Sequence, residues 1–365
     1  MSRSFIALWM LAAIAFLAPV TKAQTVFRHS NPTTSLEVRF EWAHQEARHQ
    51  GVDVYWIVYS IQRQMKEDSW MGHFSHDWRD MPTLAEILTG RGVEKEESIR
   101  QAAQQALNRA NQKRSERMVE KVVVILQQFR TGELIEVNQS NIELAYDFEN
   151  QGVFWLAGAR DGESITILID EYGEASDTDV SEDLVSAVGV HDDLTLVRPF
   201  LIGVIESRAH SDVRKHAVFR MSRHQSMETV RYLDQLAEKD RSEDVRESAV
   251  FSLSRIELDG ALDRLIRLAR YADDEEIREE ARFWLGQRAS AILLGEVDDD
   301  GEKSQLQKQA VFALTQIDDE GVDELIRLAQ THSNPVVRKQ AIFWLGQTES
   351  DRALDAIIEM LRPGS

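Results

Sequence analysis

Four histidines and one acidic run have residue types that could support chemistry. His73 and His76, in the stretch HFSH, could join His44 and His49 in offering imidazoles to a metal ion. Their spacing matches no zinc signature, and exposed histidines are the alternative. The run EVDDDGE, Glu296–Glu302, puts acids at positions 1, 3 and 5 of a calcium loop and Gly301 at position 6. Position 12 is Gln307, where such loops place a bidentate glutamate, so a solvated acidic loop is the alternative. No glycine-rich phosphate loop, G-x-S-x-G or H-E-x-x-H occurs. The sequence therefore nominates no catalytic residue, no metal ligand and no cofactor.

Arginine supplies a second pattern. Arg214, Arg246, Arg278 and Arg338 recur in one frame, and we expect a structural ladder reaching acids or carbonyls of the adjacent repeat, with a binding row as the alternative. Arg231, Arg264, Arg267, Arg270 and Arg327 form a mildly basic stripe that could steer an acidic peptide. They are the candidate protein-binding residues, with a solvated helix face as the alternative.

The elements that would position these residues follow from composition and periodicity. The chain has 365 residues, 43% hydrophobic and 28% charged, as in a folded protein with room for two domains or one elongated one. Its first 23 residues carry an early arginine, an apolar run from Phe5 to Val20 and small residues at Thr21 and Ala23, the pattern of a Sec-type signal cleaved after Ala23, with an uncleaved membrane anchor as the alternative. We expect a periplasmic or secreted protein with no membrane insertion after cleavage. Loss of Arg3 and Lys22 takes the net charge from −20 to −22, which argues against nucleic acid as a partner. There are no cysteines, so packing alone stabilises the fold.

The stretch VRKHAVFRM at Val213 recurs in frame as VRESAVFSL at Val245, IREEARFWL at Ile277, LQKQAVFAL at Leu306 and VRKQAIFWL at Val337, at steps of 32, 32, 29 and 31 residues. In the last copy Val337, Ala341 and Leu345, with Val336, Phe343 and Trp344, recur at helical spacing, after Asn334-Pro335 and before Gly346. A second amphipathic helix follows through Ala353, Leu354, Ile357, Ile358 and Leu361, so each copy reads as helix–turn–helix. The word FWLGQ stands at Phe283 and Phe343, and FWLAG at Phe154. We expect small Ala281, Ala310 and Ala341 to admit neighbouring helices, Phe283 and Trp284 to fill gaps between repeats, and Gly286 and Gly346 to end their helices. After Gln287 the second helix is cut short.

The frame D/E-x-[VI]-R-x-x-A-x-x-x-L resembles the HEAT repeat superfamily, and more closely its short, lyase-type class. The resemblance is specific over 211–362. It implies a mainly α chain, a right-handed α-solenoid of helix pairs whose second helices usually line the concave side. HEAT-like metal hydroxylases use His-Glu pairs, which this chain lacks, and a bilin-lyase reading sits poorly with export. We extend the solenoid back to residue 150, reading Val153–Ala175 and Ser181–Ser207 as degenerate helix pairs, with Gly189 ending the first helix of the latter.

Residues 24–149 lack the period. LEVRFEWA (Leu36–Ala43), DVYWIVYSIQ (Asp53–Gln62), EKVVVILQQF (Glu120–Phe129) and NIELAYDF (Asn141–Phe148) are rich in β-branched and aromatic residues and are expected to be strands. Glu94–Arg114 is expected to be helical. We expect a small α+β module capping the solenoid, and a non-enzymatic scaffold of the bacterial envelope that holds a protein segment on the concave face. The alternatives are a lyase or metal-dependent hydrolase using the N-terminal histidines, and a calcium-binding envelope component.

Overall fold

The computed structural model describes residues 24–31, 33–67, 69–72, 81–90, 117–294, 311 and 319–362. The signal segment, His73, His76, the helix expected over 94–114, Ala310 and the acidic run 296–302 lie outside the described residues.

The N-terminal module is a five-stranded sheet: β1 (Val26–Arg28), β2 (Val54–Lys66), β3 (Met118–Arg130), β4 (Glu133–Asn141) and β5 (Gly152–Gly158), in the order β1-β5-β2-β3-β4. β5 runs parallel to both β1 and β2, while β2–β3 and β3–β4 are antiparallel. β2 is apolar on both faces. Tyr55, Ile57, Tyr59 and Ile61 join the core shared with the helices, and Trp56 and Val58 join a second core with Leu84, Leu88 and Phe148. The β3–β4 turn needs positive φ at both central residues, 52° at Thr131 and 91° at Gly132, which matches the twist of a two-residue hairpin.

Three expectations are corrected. Leu36–Ala43 is not a strand but part of helix α1 (Leu36–Gln50). Its buried residues Leu36, Phe40, Ala43 and Ala47 recur at helical spacing, and Ser35 caps its start by accepting from the Val38 amide. Composition suggested a strand where periodicity dictated a helix. The stretch 141–148 extends β4 by Asn141 only; its carbonyls at Ile142 and Leu144 accept from Ala85 and Leu84, opening the short helix α2 (Leu84–Thr89). Val153–Ala175 is not a helix pair. FWLAG lies in β5, where Val153 and Phe154 face opposite cores, and one helix, α3 (Asp161–Glu174), follows.

From α3 onward the described elements are all helical: α4 (Thr178–Val188), α5 (Leu194–Glu206), α6 (Ser211–Met221), α7 (Met227–Lys239), α8 (Glu243–Ser254), α9 (Asp259–Tyr271), α10 (Glu275–Leu294), α11 (Asp319–Thr331), α12 (Pro335–Gly346) and α13 (Asp351–Leu361). The pair α4–α5, with Gly189 closing α4, is as expected. α3 packs on α1 and α4 lies along β4, so one apolar core runs from the sheet to Met360. A polar chain crosses this joint. Tyr59 donates to Ser164 at 2.8 Å, and Ser164 to His191 Nε2 at 2.8 Å. His191 Nδ1 donates to the Ala187 carbonyl at 3.0 Å, an acceptor that fixes the direction of the whole chain.

The repeated arginines are the ladder expected. Arg214 is buried, donates to the Ile205 carbonyl behind it and grips Asp240 ahead of it. Arg246 reaches the Asp240 carbonyl and Asp274. Arg278 and Arg338 donate to the carbonyls of Ala272 and His332.

The two glycines of FWLGQ do not both end helices. α12 ends at Gly346, but Gly286 lies inside α10. The two glycines face each other. A Cβ at Gly286 would sit 3.0 Å from the Gly346 Cα, and one at Gly346 would sit 3.2 Å from the Gly286 Cα. The fifth copy thus packs on the third, word against word. α13 lies beside α9 and α10, and α11 packs on α12 and α13. Arg270–Asp355 and Arg352–Asp323 fix this order, α9–α13–α11.

Two predictions follow from the packing. Gly286→Ala drives a methyl into backbone and is expected to destabilise the α10–α12 contact by about 1–3 kcal/mol, read from urea unfolding. Glu171, on α3 under the sheet, is pushed up to about 8, chiefly by burial, against its bond to Gln127. Its folded state favours the neutral acid, so its contribution is complete below the usual carboxylate range and lost as pH rises through about 8. Glu171→Gln should therefore stabilise the protein above that pH by on the order of 1–3 kcal/mol and change little in acid, as a pH series of thermal midpoints would show.

Candidate acidic cleft

The first helices of the repeats, α6, α8, α10 and α12, carry an aromatic at the same turn. Phe219 stacks on Phe251 at 5.9 Å, Phe251 meets Trp284 at 4.5 Å, Trp284 meets Phe283 at 4.9 Å, and Phe283 meets Phe343 at 6.3 Å. These side chains are half-buried. The word Phe-Trp fills gaps between repeats as expected, and it also leaves a ladder of ring edges on the surface.

Beside Phe283 the ladder opens into a cleft of about 510 Å³. α8 contributes Glu243 and Glu247, and α10 contributes Glu276, Glu279 and Glu280. The end of α12 and its following turn, Gly346–Glu349, form the opposite wall. Six glutamates face a single arginine, Arg282, which itself leans 3.6 Å from Asp351. The carboxylates are crowded. Glu247 is held above the usual range by burial and by Glu280 and Glu243, and Glu276 by a hydrogen bond shared with Glu243 and by that residue's charge. Glu280 accepts from the Trp284 indole at 2.5 Å, which ties the charge to the aromatic ladder. Walls of this charge attract cations by Coulomb interaction, and Phe283 lines the same cleft. In the sequence, the i, i+4 pairs Glu243/Glu247 and Glu276/Glu280 were the available signal.

The sequence-nominated residues are placed as follows. On α9, Arg264 and Arg267 share Asp234 of α7, at 3.3 and 2.5 Å, and Arg267 also binds Glu238. Arg270 pairs with Asp355 at 2.5 Å, and Arg327 with Glu324 of its own helix. Arg231 is exposed and has no ionic partner among the described residues. α13 lies between α9 and α11, so Arg327 does not adjoin Arg267. His44 turns inward, 2.7 Å from the Tyr55 hydroxyl and edge-on to Phe129, and burial lowers its pKa, whereas His49 is exposed. Among the described residues no group of three His, Asp or Glu is placed to hold a metal ion, and no helix is long and apolar enough to cross a membrane.

Crowded like charges relax when screened. Raising ionic strength from tens of millimolar to about 1 M should raise the thermal midpoint, and Glu276→Gln should shrink that gain. An equal salt response in both proteins would clear the cleft of this strain.

Residues 198–286 and 290–364 match the family model for HEAT repeats. No curated protein matches the chain. HEAT repeats are generally protein-interaction scaffolds and typically non-enzymatic. The five in-register copies, the arginine ladder and the stacked helix pairs agree with that match, and the array of residues 198–364 belongs to the HEAT repeat superfamily.

Proposed function

We propose that this protein is a non-enzymatic scaffold that holds a cationic segment of a partner protein in the acidic cleft, on the first-helix side of the array. The observation that carries this reading is the combination of six glutamates, one compromised arginine and an aromatic ladder around one cleft. A lysine or arginine entering there would relieve the repulsion among Glu243, Glu247, Glu276 and Glu280 and lie against Phe283. The solenoid form supports the same reading, since stacked repeats present extended binding surfaces. We infer that it works outside the cytoplasm, in the periplasm or beyond, because the first 23 residues have the composition of a cleavable signal. N-terminal sequencing of the mature protein should then begin at Gln24.

The second-helix side offers the other docking face. Arg231 is exposed there, and Arg264, Arg267, Arg270 and Arg327 would have to exchange their present acids for those of a partner. One titration separates the faces. A lysine-rich and a glutamate-rich peptide of equal length are added while tryptophan fluorescence is followed, Trp284 being bonded to a cleft glutamate. We expect the lysine peptide to bind, to weaken with salt, and to lose about tenfold or more in affinity with Glu247→Lys/Glu280→Lys. Arg267→Glu/Arg327→Glu should leave it unchanged. Binding of the glutamate peptide, lost in the arginine variant, would move the site to the second-helix side; silence with both peptides would end the cleft reading.

A further inference from the structure

The aromatic ladder that ends at the acidic cleft begins at a basic end. Arg220 follows Phe219 on α6, at the frame position that Ser252, Trp284 and Trp344 hold in later copies, so the repeat itself calls for no cation there. Its guanidinium carbon lies 5.8 Å from the centre of the Phe219 ring. Arg255, which closes α8, lies 5.8 Å from the same ring and 5.6 Å from that of Phe251. Neither arginine has a carboxylate partner among the described residues, and the Arg220 Nε is enclosed with no acceptor at all. Burial, and then the charge of Arg63, pushes the Arg220 pKa down to about 10, so it stays a cation at neutral pH. Gly189 makes room for it. The φ of −66° at Gly189 is open to any residue, yet a Cβ there would come within 2.7 Å of the Arg220 Cγ. A half-buried charge without a counter-charge costs stability, and here the fold keeps space for one.

We propose that Arg220 and Arg255 receive a carboxylate of the same partner segment whose cation enters the acidic cleft. The ladder then selects a segment with an acid and a base a fixed distance apart. The basic half of this motif rests on the cleft reading; the acidic half rests on the two arginines alone. Guanidinium groups bind a carboxylate through charge-assisted N–H bonds, and a carboxylate here would answer two cations that the chain leaves unanswered. The rings set the spacing. From Phe219 to Phe283 they step by 5.9, 4.5 and 4.9 Å, so the two ends are at most about 15 Å apart, which an extended segment rising ~3.3 Å per residue covers in about four or five residues.

Three peptides of equal length test this by tryptophan fluorescence. The first carries a lysine pair and, about five residues on, a glutamate pair. The second has the same pairs in reverse order, and the third has glutamines in place of the glutamates. One order should bind about tenfold more tightly than the glutamine peptide, and salt should erode the difference. Arg255 is exposed, so Arg255→Gln leaves the fold intact; it and Arg220→Gln should each remove most of the gain and leave the glutamine peptide unchanged. Glutamates that add less than twofold in either order, or a gain that survives in both arginine variants, overturn the proposal while the cleft reading stands. A gain lost with Arg255→Gln, in peptides indifferent to Glu247→Lys/Glu280→Lys, keeps the arginine site and removes the cleft reading. No binding by any of the three peptides overturns both.

Discussion

The array depends on an arginine, present in four of the five copies, that reaches back to the end of the preceding helix pair. A helix pair has an apolar stripe whose ridges and grooves leave several crossing angles open to the next pair. Arg214 solves this at the first clear repeat, with one N–H on the Ile205 carbonyl and a two-pronged grip on Asp240. The guanidinium is almost entirely buried, and removing one side of such a pair typically costs about 3–5 kcal/mol. Arg246 repeats the arrangement with the Asp240 carbonyl and Asp274, so Asp240 receives a bond from each of two successive clamps. The clamps fix the stack, and the stack places the aromatics of successive first helices in line.

At the other end of the array the sheet meets the helices through a joint that is apolar in area but polar at its centre. Tyr59, Ser164 and His191 form a directed chain in which each group is satisfied. Burial lowers the His191 pKa, so this chain is built for a neutral imidazole. Asp183, pushed up to about 6 chiefly by burial, accepts from the Val137 amide on the outer strand β4. α4 and Asp183 thereby cover a sheet edge that would otherwise present free amides to other chains. The module and the array each shield a surface that the other could not leave open.

Much of this was legible in the sequence. The five-fold frame, the helix pairs from 181 onward and the arginine ladder followed from period and spacing, and β2 and β3 from their β-branched and aromatic content. The failures have separate physical causes. In α1 the aromatic content of LEVRFEWA masked the spacing of Leu36, Phe40 and Ala43. β4 was missed because Thr131-Gly132, a two-residue turn, went unread beside a strand whose outer face is only partly buried. FWLAG was joined to FWLGQ by spelling, although Phe154 packs in a sheet and Phe283 on a helix. The cleft was invisible because it brings α8, α10 and the end of α12 together, and the order that does so cannot be read from a period that implies neighbours in sequence stay neighbours in space.

That order also governs how the chain can reach its native form. A regular solenoid can grow from one end during synthesis, each new pair docking on a finished one. In this chain Gly286 waits for Gly346, and the face of α9 that receives α13 stays open until Asp351–Leu361 has been made. The final two helices close contacts of long sequence separation, which slows folding and leaves an apolar groove uncovered meanwhile. Loss of α13 alone would therefore damage the array at α9 and α10, far back in the sequence.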